Sequence, residues 1–337
     1  MRAPTWLLFL CFPMPLLAWN AAGHQVVGAV ADRLLRGTPV ETRVRDLLGG
    51  SLQTASVWLD CARGVRRENG AFVYTTAGRY PECQPFEGDA GRAELIDYVS
   101  RNWTQCRRAA TDDLCHAQYH YANVPVQRDA YVRGTTGTSD HDVVAAIEAA
   151  VAVLRGRPAP PPFSLSGPRE ALRLLVHAVG DLHQPLHLGA VYLDAEGRVV
   201  DPDAPAAGRI AHTQGGNRLR DGERNLHAEW DDLAPELRLR RFGDRALSAA
   251  RRVPPTPGPA ERWAAQWANE SLALSRKAYA PLVIGPRDAT GDWPLTLPPG
   301  YEPERIRVQH VQLPRAGARL AQLLTALVGT DSPSQEP

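Results

Sequence analysis

Excess positive charge is the first thing this sequence lacks. Its 38 Lys+Arg against 37 Asp+Glu leave +1, so it offers no basic field of the kind that coats duplex DNA through its phosphates. It also lacks an apolar run able to span a bilayer. The longest, Trp6 to Leu17, is twelve residues behind Arg2, short of the roughly 20 a spanning helix needs but the size of a signal-peptide core. Cleavage after Ala18 is expected, leaving Trp19 first and sending the protein to a periplasm or out of the cell. Segments alternating with period two are scarce, so strands should be few and short and the class all-α. No G-x-S-x-G, P-loop or dinucleotide fingerprint occurs, which removes support for a serine hydrolase or a nucleotide-cradling fold. Cysteine is sparse as well. With Cys11 in the signal, Cys61, Cys83, Cys106 and Cys115 remain, an even number that suits two disulfides in an oxidising compartment. Their connectivity is open among three possibilities, and a Cys₄ zinc site competes weakly because no C-x₂-C pair is present.

What is present is a chain that can bury a core, with 44% hydrophobic and 22% charged residues. A single helical domain is expected over 19–329, with a disulfide-stapled insertion at 61–115 and a disordered tail at 330–337. Val26, Val27, Val30 and Leu34 recur at helical spacing over Gly23–Arg36, and short amphipathic pieces follow near Glu41–Leu48 and Gln53–Leu59. Arg92–Trp103 reads as a helix within the insertion. Ser139 or Asp140 is expected to cap a helix from about His141 to Leu154, which the prolines at 158 and 160–162 end. Pro168 opens the next helix where its missing N–H costs nothing, and Pro185 breaks it. Residues 190–222 read as a long loop or hairpin, followed by helices near Leu226–Leu233, Ala260–Tyr279 and Glu302–Leu327.

The chemistry concentrates in LLVHAVGDLHQPLHLG, residues 174–189. His177 and Asp181 stand four apart, about 6 Å along one helix face, and can grip one metal ion. His187, beyond the break at Pro185, can serve a second ion. NLHAEWDD repeats the device with His227 and Asp231. The competing readings are a hydrogen-bonded core histidine, or a surface ion pair worth a few tenths of a kcal/mol. Against them stands Asp181 in Leu/Val surroundings, where an unpaired carboxylate would be costly to bury. Imidazole and carboxylate together suit Zn²⁺, whose natural use is hydrolysis.

These motifs, with SVWLD and YHYANVP upstream, resemble the zinc-dependent single-strand-specific nucleases and 3′-nucleotidases of the S-one/P-one family, and more distantly the zinc phospholipases C that share its fold. The resemblance runs from Trp19 to at least Asp231. It implies three Zn²⁺ per chain. One would be held by the α-amine and carbonyl of Trp19, by His24 and by Asp181. A second would be held by Asp60, His120, His177 and the shared Asp181, and the third by His187, His227 and Asp231. Such a mature amino terminus also argues for cleavage after Ala18. The family spans the interval from Asp60 to His120 with a much shorter segment, and here that interval holds all four mature cysteines. His116 competes with His120, which is preferred because Tyr-Ala-Asn-Val-Pro follows it. If Asp60 and His120 meet at one zinc, a nested pairing Cys61–Cys115 with Cys83–Cys106 is expected.

The resemblance further implies in-line attack on phosphorus by zinc-activated water, with Asp60 orienting the nucleophile and Arg63 neutralising phosphate charge in the transition state. Tyr121 and Asn123 would stack on and hydrogen-bond a splayed base. Three Zn²⁺ against Asp60, Asp181 and Asp231 would leave a positive pocket in a nearly neutral chain. Substrates would be single-stranded DNA, RNA and 3′-nucleotides, giving 5′-phosphorylated products. No stable protein partner or membrane span is implied, and a monomer is the default. A zinc phospholipase C is the first alternative; those enzymes carry Glu four residues after their last His, where this chain has Asp231. A non-catalytic exported zinc-binding protein is the second. His183, Gln184, Asn217 and Asn225 read as supporting residues. His141, His212 and His310 have no assigned role, and the Asn102 and Asn269 sequons matter only in a glycosylating host.

Overall fold

The computed structural model describes residues 19–108, 112–205 and 210–328; the signal peptide and tail expected from the sequence lie outside them. The chain is mostly helical with small sheets. α1 (Ala21–Leu35) and α2 (Pro39–Leu48) lead into the short α3 (Leu52–Ala55) and α4 (Trp58–Ala62). Thr38 caps α2 by accepting the Glu41 N–H, Pro39 starts it, and Gly49 ends it at φ 66°, the left-handed conformation that glycine adopts without strain. A hairpin, β1 (Val65–Glu68) and β2 (Ala71–Tyr74), precedes α5 (Asp89–Arg101) and α6 (Cys115–Gln118).

Next come β3 (Val124–Pro125), α7 (Val143–Leu154) and α8 (Pro168–Leu182), then β4 (Gly189–Ala190), β5 (Tyr192–Leu193), β6 (Ala211–His212), β7 (Leu219–Asp221), β8 (Arg224–Asn225) and α9 (Leu226–Asp231). The chain closes with α10 (Leu239–Ala250), α11 (Trp263–Tyr279), β9 (Val283–Ile284), β10 (Trp293–Thr296) and α12 (Tyr301–Val328). α8 is the axis of the molecule. Every residue from Glu170 to Leu182 is buried, and α1, α4, α7, α11 and α12 pack around it. One core fills that bundle, and a smaller one around Leu219, Trp230, Trp293 and Tyr301 backs the sheet β8–β7–β10–β9. Among the described residues no helix is long and apolar enough to cross a membrane.

Three expectations need correction. Asp142, not Ser139 or Asp140, caps α7, because its carboxylate takes the Val144 and Ala145 N–H groups. α10 forms over a stretch for which no helix is expected above. The disulfides are consecutive rather than nested: Cys61 joins Cys83, and Cys106 joins Cys115. The physical reason lies in two local returns of the chain. The β1–β2 hairpin and the turn Pro81–Phe86 bring Cys83 back to α4. Cys115 and His116 then donate their N–H groups to Trp103 and Asn102 at the end of α5, beside Cys106. Asp60 and His120 do approach each other, without Cys61 and Cys115 following them.

Candidate metal centre

Three groups of buried side chains could each hold a metal ion: His24, His177 and Asp181; Asp60, His120 and His177; and His187, His227 and Asp231. The first two share an edge. Asp181 sets Oδ1 3.3 Å from His24 Nε2, and Oδ2 3.1 Å from both His177 Nε2 and His120 Nδ1. Asp60 Oδ1 lies 3.8 Å from His177 Nε2 and 4.0 Å from His120 Nδ1. In the third group Asp231 stands 3.7 Å from His187 Nε2 and 3.4 Å from His227 Nε2. The grouping differs from the expected one in two respects: Asp181 falls in the first group and not in the second, and the residue common to both is His177.

Local structure aims each ring. His177 and Asp181 are one helical turn apart on α8, and His227 and Asp231 repeat that spacing on α9. The His177 Nδ1–H donates to the Ser56 carbonyl at 2.7 Å, His187 to the His120 carbonyl at 2.8 Å and His227 to the Gly215 carbonyl at 2.8 Å. Each bond fixes the tautomer and leaves Nε2 for a metal. His24 lies flat on His177, with centroids 3.8 Å apart, and Gly180 makes room for it, since a Cβ there would stand 2.7 Å from His24 Nδ1. Trp19 is fully buried, and its indole N–H donates to the Gly180 carbonyl at 2.8 Å, one residue before Asp181. The Asn20 N–H donates to the Asp231 carbonyl at 3.0 Å. The Trp19–Asn20 segment is thus fastened between two of the groups.

The donor set fits metal on one physical test, the fate of its polar atoms. Both nitrogens of His24, both oxygens of Asp60, His120 Nε2, Asp181 Oδ1, His187 Nε2 and Asp231 Oδ2 are buried without a hydrogen-bond partner. Buried polar atoms are ordinarily paired, and each unpaired one costs about 1–3 kcal/mol. Those that face into the groups, among them His24 Nε2, Asp181 Oδ1 and Asp231 Oδ2, are what cations would resolve. Burial holds the imidazoles of His24, His120 and His227 below the usual range, in the neutral form that binds metal. Burial also pushes the Asp60 carboxyl up. It acts the same way on Asp181, but His177, His187 and His120 outweigh it and hold that carboxyl well below the usual range.

A cleft of about 590 Å³ opens beside the groups, lined by Arg63, His120, His187 and His227 on the inner side and by Arg107, Asp113, Tyr121 and Asn123 on the wall. The Tyr121 hydroxyl donates to Asp113 at 2.8 Å. Arg63 caps the end of α4, three residues after Asp60. His116 joins no group: it stacks on Trp103 with centroids 5.8 Å apart. His183 is spent on the Val179 carbonyl at 2.7 Å and faces Arg319 at 3.1 Å. Gln184 reaches Asp231 at 2.7 Å and Asn225 caps α9. Residues missed from the sequence are Gln118, His141 and Asp113 on the cleft wall, together with Ser56 and Gly215, whose carbonyls aim the rings. Backbone carbonyls leave no residue-type signal, so these last could not have been found.

The sequence profile of the S1/P1 nuclease family matches residues 93–329. Nuclease PA3 of Penicillium sp and nuclease P1 of Penicillium citrinum are each 25% identical over 347 aligned positions, which cover 93% of this chain and 99% of each relative. His24 and Asp60 precede the profile match. Because the profile takes in well over half of a helical chain whose buried His/Asp groups lie beside an open cleft, the protein belongs to the S1/P1 nuclease family and is a nuclease, a hydrolase of phosphodiester bonds.

Proposed function

We propose that the chain is an exported zinc nuclease that cleaves single-stranded DNA and RNA to 5′-phosphorylated products and removes phosphate from 3′-nucleotides. The observation that carries this reading is the grouping of buried imidazoles and carboxylates at three adjacent places, several of their facing atoms without a hydrogen-bond partner. Asp60, His120 and His177 would hold one zinc; His24 and Asp181, with the amine and carbonyl of a Trp19 freed by cleavage after Ala18, a second; His187, His227 and Asp231 the third. Zinc bound there supplies positive charge to phosphate oxygens and brings the pKa of bound water towards neutrality. The protein's own residues do the rest. Asp60, both of whose oxygens lack other partners, orients the nucleophile, and Arg63 stabilises charge as it builds on the phosphate. Tyr121, its hydroxyl tied back to Asp113, presents a ring for an unstacked base, with Asn123 beside it in the cleft. A stacked duplex cannot offer a base this way. The two disulfides suit an oxidising compartment.

The test is hydrolysis of single-stranded against duplex DNA by secreted protein of sequenced amino terminus, with chelator and then with Zn²⁺ restored. Preference for single strands, lost on chelation and regained with zinc in a chain starting at Trp19, is expected. Replacing Arg63 by Ala should lower kcat about 10²-fold while zinc content stays unchanged. Activity that survives exhaustive chelation, or equal cleavage of duplex, would overturn the reading.

A further inference from the structure

The chain is nearly neutral, yet its cations are unevenly placed. Residues 238–252 contain six arginines, at 238, 240, 241, 245, 251 and 252, against one acid, Asp244: 6 − 1 gives +5 within a chain of +1. Most of this stretch is α10. Its apolar side, Phe242, Ala246, Leu247 and Ala250, is buried in the core, and its arginines are exposed. The start of α10 faces the end of α1 and the α2–α3 segment across a groove of about 460 Å³. The acids along the groove are engaged. Asp244 pairs with Arg33 at 2.7 Å, Asp32 accepts the Leu52 and Gln53 N–H groups at 3.0 Å each, and Glu41 takes the Gly37 N–H at 2.7 Å. Arg36, Arg240 and Arg241 have no carboxylate partner among the described residues and are exposed on the groove.

We infer that this groove is a second, non-catalytic docking site for the phosphodiester backbone of a single-stranded substrate. The inference rests on the nuclease reading above. Guanidinium forks match phosphate oxygens bidentately, and the groove lining contains no aromatic residue, so it would hold backbone without reading bases. A membrane fits less well. The apolar face of α10 is already in the core, and the large exposed hydrophobics, Val132, Val199, Val283 and Val311, all lie on other elements. Arg36 lies twelve residues from His24, about 18 Å of helical rise. A dinucleotide at the metal groups would not reach the groove, whereas a long strand would.

The test compares the holoenzyme with its Arg36→Ser/Arg240→Ser/Arg241→Ser variant, whose changes are all at the surface. Substrates are a twenty-nucleotide oligothymidylate and a thymidine dinucleotide across a salt series. At about 0.7 per phosphate contact on a single strand, loss of three contacts should make the log–log salt slope for the long strand shallower by about 2. Its kcat/KM at low salt should fall about tenfold, with dinucleotide hydrolysis unchanged. Equal slopes and equal kcat/KM on the long strand would overturn the inference. So would capture of phosphatidylglycerol vesicles that the variant loses while its handling of the long strand stays intact. If neither oligonucleotide is cleaved, the nuclease reading has failed instead. The groove is then judged by fluorescence anisotropy of a phosphorothioate oligothymidylate, whose unchanged binding by the variant would refute the docking site.

Discussion

Gly180 stands one residue before Asp181, whose carboxylate approaches histidines of two candidate metal groups, and it has no side chain because His24 occupies that space. In a helix interior, Gly→Ala ordinarily gains up to about 1 kcal/mol. Here the added Cβ would lie 2.7 Å from His24 Nδ1, and the ring cannot simply retreat, since it is stacked on His177. Gly180→Ala is therefore expected to fold with an unchanged helical circular dichroism spectrum, yet to bind one zinc fewer by elemental analysis. Activity should fall about 10–100-fold, the usual cost of disturbing a ligand's support. Full zinc occupancy with normal activity would show that His24 is not a ligand. At this scale the sequence told much, because i, i+4 spacing on α8 and α9 is visible in the letters. It could not tell that His116, four residues before His120, turns to Trp103, because stacking partners depend on where the insertion folds.

Elements were legible where their ends carry chemistry. Pro168 starts α8 as read, and α11 and α12 fall near the expected bounds. α10 was legible too: its buried positions, Phe242, Ala246, Leu247 and Ala250, recur at helical spacing opposite the arginines, and that apolar stripe is what packs against α1 and α12. The two-residue strands β3–β6 carry no periodicity at all. Disulfide connectivity was likewise beyond the sequence, being decided by how the insertion doubles back. A bridge closing a loop of 22 residues, as Cys61–Cys83 does, stabilises by about 3 kcal/mol in the loop-entropy account. Cys61→Ser/Cys83→Ser should lower stability by about that amount in denaturant titration and cut activity, because α4 carries Asp60 next to Cys61. The shorter Cys106–Cys115 loop, of 9 residues, should cost about 2.5 kcal/mol and act on the cleft wall, through Asp113 and Tyr121. Mapping of proteolytic peptides should find 61 joined to 83 and 106 to 115; a peptide joining 61 to 115 would refute the observed fold of the insertion.

For the molecule as a whole, the candidate metal groups are not three separate pockets. β3 and β4 run parallel, with Val124 opposite Gly189 and Pro125 opposite Ala190. Just before them the Ala122 N–H donates to the His187 carbonyl, and His187 Nδ1–H donates back to the carbonyl of His120. A candidate ligand of one group thus holds a candidate ligand of another by the backbone, and Asp181 lies between the first two groups. Ordering one group therefore lowers the cost of ordering its neighbours, which is a positive coupling between sites. Titrating zinc into chelated protein should give a sigmoidal isotherm with a Hill slope above 1, and the melting temperature should rise with free zinc; a hyperbolic, three-step isotherm would show independent sites. Under zinc scarcity, the population would then divide into fully charged and empty molecules. Partly loaded intermediates would be rare, and specific activity per bound ion would stay nearly constant as supply runs down.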